Sequence, residues 1–248
     1  MKTKPSTWPR EWWRTAKSFT RVWYAFLFIF AASSAIMIVQ YAFPTPVCFD
    51  GYPLPATTCY LSNSAATPWG IVTSMFVHSS FLEHYTPNFV GLLVFIVFFI
   101  ATNARIPSEE RRTKQNAFVA LMFISAALAN VASLVIQPNS LARGASGLVY
   151  ATWGIASAFC LINALRGFLS REGPKAYYGI LRNLRWSINN GLVFIPLIGG
   201  VFIAPKAFLG VGPGVNVLAH GLGFFFAFAG VIVWHVSVIL TGRASSVR

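Results

Sequence analysis

The sequence predicts an all-α membrane protein, a bundle of six transmembrane helices with both termini in the cytoplasm. Three observations predict it. The 248-residue chain is 56% apolar and only 10% charged, whereas a soluble domain carries about a quarter charged residues. Apolar runs long enough to cross about 30 Å of hydrocarbon at about 1.5 Å per residue recur along it. All but two of its basic residues fall in alternate gaps between those runs or at the ends, as expected of a chain oriented by the positive-inside rule.

Taken in order, the first span is Val22–Phe43. It is longer than the apolar core of a cleaved signal peptide, so a retained signal anchor is expected despite the small residues of AASSA within it. In the loop that follows, Cys48 and Cys59 either pair, if the compartment is oxidising, or stay as two free thiols. Asp50 of the same loop reads as a turn residue. PWGIVTSMFV, residues 68–77, would set Ile71, Val72, Met75 and Phe76 on one helical face lying in the outer interface. Next come Tyr85–Thr102, Asn116–Ile136 and Ser146–Leu165, the last with Cys160 as a packing residue. The fifth span, Ser187–Ala204, is interrupted by Pro196, Gly199 and Gly200, which membrane helices tolerate when neighbours satisfy the freed backbone groups. Val217–Leu240 is the sixth. The expected layout is a basic cytoplasmic segment 1–21, a membrane domain 22–240 and a short cytoplasmic tail 241–248.

The net charge of +13 does not imply nucleic acid. Seventeen lysines and arginines fall before the first span, after the second and fourth, and after the last; only Arg143 and Lys206 fall on the other side. They orient the chain and meet anionic lipid, and Trp8, Trp12, Trp13 and Trp23 among them read as interfacial anchors. The bilayer is a partner; nucleic acid is not. No repeat and no second soluble domain is visible.

This topology sends spans two, four and six from outside to inside. Their outer ends carry His84 and Asn88, Ser146, and Asn216 and His220, so three helices bring polar groups to one level beneath the outer surface. No aspartate or glutamate lies well inside a span, which argues against a proton-coupled carrier. Four histidines without an interior carboxylate or an HExxH motif argue against a metal, and no cofactor is implied.

Ser146 stands in GASGLVYATWG, residues 144–154. A serine at a helix start is a favoured cap, but its neighbours allow a chemical role. Gly144 permits a tight turn, and Gly147 permits close approach of another backbone. Gly147, Ala151 and Gly154 form a small-residue face to meet Gly223, Ala227 and Gly230 of span six, just beyond His220. If the faces meet, neutral His220 can take the proton that makes the Ser146 hydroxyl nucleophilic. Tyr150 lies one turn beyond Ser146, where its ring can hold the imidazole by stacking. The backbone N–H of Ser146, with His84 and Asn88, can supply donors to an oxyanion. His235 is about four turns beyond His220, too deep to take part. A packing serine with an interhelical histidine is the alternative.

These residues resemble the rhomboid intramembrane serine proteases. GASGLVYATWG is similar to that family's G-x-S-G-x-x-Y-A-x-x-G, and AHGLG, residues 219–223, to its A-H-x-x-G. FVHSSFLEHYTPN, residues 76–88, resembles its F-x-H followed by H-x-x-x-N. The resemblance spans residues 22–240. It implies Ser146 as nucleophile, His220 as base, Tyr150 as its stacking partner, and His84 and Asn88 on the oxyanion side, with His78 structural. It also implies a substrate, the transmembrane helix of another membrane protein, cut near its outer end at a site opening to the extracytoplasmic side of the cell membrane. The fifth span is then either a movable side wall or an ordinary kinked helix, and the loop 206–216 either a mobile cap or a set of turns.

The chain departs from the family pattern in three places. Ala227 replaces a usual glycine; no tryptophan–arginine pair stands in the first loop; and His78 and His84 are six residues apart where the family has five. Pro87 then requires the second span to begin no earlier than about His84. The rival functions are a catalytically inactive relative that binds or escorts membrane proteins, and a transporter.

Overall fold

The structure is a computed structural model that describes residues 13, 15–42, 67, 69–104, 106–137, 145–169, 188–195, 198–199 and 217–241. These residues form α1 (Thr20–Ala42), a one-turn α2 (Gly70–Thr73), α3 (Thr86–Asn103), α4 (Ser108–Ile136), α5 (Ser146–Leu169) and α6 (Val217–Leu240). Five helical stretches are long and apolar enough to cross a membrane: α1, α3 with the turn before it, α4, α5 and α6. Of the expected fifth span, residues 188–195 and 198–199 are helical, while Pro196 and Gly200 lie outside the described residues. Cys48, Cys59, Asp50, Gly144 and the 206–216 loop lie outside them too.

α5 is the central helix. Its membrane window is 78% buried, against 17–39% for the others, and it packs against α3, α4 and α6. Its composition explains this position, because Ala151, Thr152, Ala156, Ser157, Ala158 and Cys160 are all fully buried. Where lipid is as apolar as the helices, association rests on van der Waals contact, and small residues let backbones close on one another. A Cβ on Gly154 would stand 2.3 Å from the Phe224 carbonyl oxygen of α6, and one on Gly223 would stand 3.2 Å from the Gly147 oxygen of α5. α3 closes on α5 at Gly91, where a Cβ would be 3.0 Å from Val149 Cγ1. Gly230 departs from the expected face: its neighbour is Leu121 of α4.

Three further expectations are corrected. Ile71, Val72, Met75 and Phe76 do not share one face. α2 is a single turn that tightens into a 3₁₀ turn, Ser74–Phe76, so Met75 is buried while Val72 stays exposed. Second, α3 is preceded by a π-helical turn, Phe81–Tyr85, so helix begins three residues before His84. Tyr85 N–H reaches back to the Ser80 carbonyl at 2.9 Å, the five-residue step that absorbs one additional residue. Pro87 then falls in the first turn of α3, where its missing N–H costs nothing.

The third correction is Lys114, which does not meet lipid headgroups. It is 2% exposed, and its Nζ donates to Asn103 Oδ1 at 3.2 Å and Asn163 Oδ1 at 3.0 Å. Glu110 lies 3.4 Å from the same nitrogen and 2.5 Å from Arg166. Asn163 Nδ2 donates onward to the Thr102 carbonyl and to Asn103 Oδ1, both at 3.2 Å. α3, α4 and α5 are thus tied together at the end opposite Ser146. The segment before α1 packs there as well, with Phe19 edge-on to Phe99 at 5.8 Å and Gln115 Nε2 donating to the Ser18 carbonyl at 3.1 Å.

The Gly154 contact yields a direct test. Gly154→Ala drives a methyl into the α6 backbone and is expected to lower stability by about 1–3 kcal/mol, the cost of overpacking a tight contact. Thermal unfolding in detergent measures it; an unchanged midpoint would mean that the helices do not touch there.

Candidate active site

Two contacts bring three helix starts together. Gly91, Gly147 and Gly223 stand near the starts of α3, α5 and α6; a Cβ on Gly223 would meet the Gly147 backbone oxygen of α5, and one on Gly91 the Val149 side chain of α5. Asn88, Ser146 and His220 precede those glycines by three, one and three residues. Their side chains therefore gather at one end of the bundle.

Tyr150 and His220 stack face to face, with ring centroids 4.3 Å apart and planes 14° apart. Both backbones are fixed by the contact beneath them, since the Tyr150 Cβ is 3.7 Å from the Cβ position of Gly223. Trp153, one turn along from Tyr150, extends the ring cluster to Phe95 at 4.9 Å and Phe224 at 6.0 Å. His220 is buried, and stacking on a rigid ring limits its rotation.

Ser146 is half-buried and is the first residue of α5. The Ala145 carbonyl accepts the Val149 N–H at 2.9 Å, so Ala145 occupies the cap position. Among the described residues no hydrogen bond ties the Ser146 hydroxyl to the helix backbone, and the cap role the sequence allowed is not the one it performs. The Ser146 N–H belongs to the first turn, whose donors have no partners within the helix. Nor do the described hydrogen bonds include one between Ser146 and His220; such contacts are often long until substrate tightens them.

On α3, Asn88 Nδ2 is buried and has no hydrogen-bond partner among the described residues. A buried amide donor of this kind is costly unless something accepts from it. His84 sits in the π-helical turn, where its Nδ1 meets the Ser79 N–H at 3.2 Å and Ser79 Oγ at 3.0 Å. A backbone N–H can only donate, so Nδ1 accepts and the His84 proton resides on Nε2. Ser79, which sequence reasoning did not single out, thereby sets the tautomer; its signal was a serine beside the additional residue. His78 packs edge-on to His84 at 5.2 Å. His235 lies far along α6, with its ring near Trp234 at 6.4 Å, and is not part of this cluster. No group of histidine, cysteine, aspartate and glutamate suited to a metal occurs among the described residues.

With this geometry in view, a comparison with protein families is decisive. The family model described as "Rhomboid domain" matches residues 65–236, a stretch that runs from before α2 almost to the end of α6 and contains every residue of the cluster. The chain belongs to the rhomboid family. No curated protein and no solved structure matches it. Membership makes it a multi-pass membrane protein of an intramembrane-protease family.

His78 gives this rhomboid-family site a measurable acid response. Its imidazole is pushed down from 6.5 to about 3, first by burial and then by neighbouring His84, against a weaker upward pull from the Phe76 backbone. The unfolded chain takes up this proton below pH 6.5, while the folded chain resists it until about pH 3. Stability from this group is therefore complete above pH 6.5 and is lost as pH falls toward 3. Unfolding midpoints measured across that range should fall more steeply for wild type than for His78→Gln; equal slopes would mean that His78 is not a buried neutral group.

Proposed function

We propose that this chain is an intramembrane serine endopeptidase that hydrolyses a peptide bond in or near a transmembrane helix of another membrane protein. Ser146 is the nucleophile and His220 its base. The observation that carries this reading is the stacking of His220 on Tyr150, one turn along the Ser146 helix. It holds an imidazole against the helix of a serine whose hydroxyl has no hydrogen bond to the helix backbone among the described residues, and this supports the pairing of the two.

The steps follow from the residues. His220 takes the Ser146 proton as the hydroxyl oxygen attacks the substrate carbonyl. The resulting oxyanion meets donors fixed before substrate arrives: the Ser146 N–H at the positive end of α5 and the Asn88 amide, with His84 Nε2–H beside it. His220 passes its proton to the leaving amine, which departs and leaves an acyl-serine ester. Water, deprotonated by His220, then hydrolyses the ester. A helical substrate shields its carbonyls in hydrogen bonds, so the scissile segment has to unwind first, and segments with weak helix propensity are favoured. With the basic residues placing both termini in the cytoplasm, the cut falls near the outer face of the cell membrane.

Purified wild type should cleave a single-pass model substrate, and Ser146→Ala and His220→Ala should each reduce turnover at least about a thousandfold, as removal of a nucleophile or its base does. Asn88→Ala should cost about 10²–10³-fold, the usual effect of losing one oxyanion donor. Equal cleavage by all of them would exclude this mechanism. A folded wild type that neither cleaves nor reacts with a fluorophosphonate would favour a non-catalytic rhomboid that binds membrane proteins.

A further inference from the structure

His78 takes no part in the steps above, yet it is 1% exposed despite lying in the turn between the 3₁₀ segment and the π-helical turn. Its Nε2 accepts the N–H of Ala145 at 3.4 Å. Ala145 is also 1% exposed, and its carbonyl opens the hydrogen-bond ladder of α5. The N–H of a residue in that position has no partner within its own helix and, buried, needs an acceptor from elsewhere in the fold. The histidine ring supplies it. Because Nε2 accepts, the ring proton resides on Nδ1.

The ring is itself held from a different helix. Its centroid is 5.2 Å from His84, 5.2 Å from Tyr85 and 5.9 Å from Phe89, residues of the π-helical turn and α3 that flank Asn88. The backbone leading to it is fixed by a third helix. Asn130 Nδ2 of α4 donates to the Ile71 carbonyl at 2.9 Å and to Ser74 Oγ at 3.1 Å, and Val77 N–H closes onto the Ser74 carbonyl at 3.2 Å. One imidazole therefore joins the start of the Ser146 helix to the helix that bears the oxyanion-side amide.

We infer that His78 is a positioning residue for the hydrolysis: clamped by the rings of α3, it holds the Ala145 N–H and so sets where Ser146 stands relative to Asn88. This rests on the reading of Ser146 as the nucleophile. Apolar packing alone would fill the space with no need of an acceptor, whereas the hydrogen bond acts on the residue next to the reactive oxygen. Small displacements there are costly, because about 1 Å of misplacement lowers rate about a hundredfold.

Two substitutions separate the acceptor from the packing. His78→Phe keeps a flat ring among the aromatics and removes the acceptor. His78→Gln restores an amide oxygen near the place of Nε2. Each would be purified as the full chain, with kcat and KM measured on the single-pass substrate, the rate of fluorophosphonate labelling followed, and the unfolding midpoint recorded. His78→Phe is expected to lower kcat about 10–100-fold with KM within about twofold, labelling slowing in step, and His78→Gln to recover most of both. Cleavage by His78→Phe at the wild-type rate would overturn the inference. So would equal loss in both variants, or loss that follows only the unfolding midpoint. If wild type cleaves in a Ser146-dependent way while His78→Phe is unimpaired, the positioning role alone fails; if folded wild type neither cleaves nor labels, the hydrolase reading fails and takes this role with it.

Discussion

The site depends on how closely the backbones of α5 and α6 approach. At Gly154 the space for a side chain is already taken by the Phe224 carbonyl, and at Gly223 it is nearly taken by the Gly147 oxygen. In lipid no hydrophobic gradient forces two apolar helices together, so contact at this range is what association has to work with. Its consequence is local. With the two helices held at this spacing, the rings of Tyr150 and His220 lie in a flat stack. At Gly91 α3 closes on the Val149 side chain of α5, so that Asn88 joins the cluster from a helix that also packs on α5.

The two ends of the bundle treat polar groups in opposite ways. At the end with Lys114, Asn103 and Asn163, donors meet acceptors across three helices and the buried charge has Glu110 beside it. Such a network stabilises only when its members are satisfied. At the Ser146 end, among the described residues, the Asn88 amide is buried without a partner and no hydrogen bond ties the serine hydroxyl to its own helix. Unsatisfied buried donors are unfavourable in a resting fold, and oxyanion stabilisation needs donors that are fixed before charge develops. The Lys114 network ties three helices together at one end, while at the other the Asn88 amide is left for an acceptor from outside the described residues.

Much of this was legible in the chain. Apolar run length gave the positions of α1, α3, α4, α5 and α6, because crossing hydrocarbon sets a minimum length and excludes charge. The serine and histidine motifs placed Ser146, Tyr150 and His220 on α5 and α6, and the stacked rings agree with their spacing. What was hidden depended on contacts between distant residues or on helix type. The six-residue interval from His78 to His84 signalled one additional residue, but a count along the chain cannot tell a looped residue from a π-helical turn. Lys114 read as one more cytoplasmic cation, since its burial is decided by Asn103 and Asn163, which lie on other helices. For Ser146 a cap role stood beside the chemical one, because caps and first helical residues differ by one position, which only the Ala145 carbonyl resolves. Met75 and Val72 parted company once a one-turn helix tightened into a 3₁₀ turn.

The most direct test of the account is a structure of the protein after reaction with a fluorophosphonate, whose phosphorus mimics the tetrahedral centre of the intermediate. The account predicts a covalent bond from Ser146 Oγ to phosphorus, the phosphoryl oxygen within hydrogen-bond distance of Asn88 Nδ2 and the Ser146 N–H, and His220 still stacked on Tyr150. An adduct on another residue, or one on Ser146 whose oxygen points away from Asn88, would contradict it.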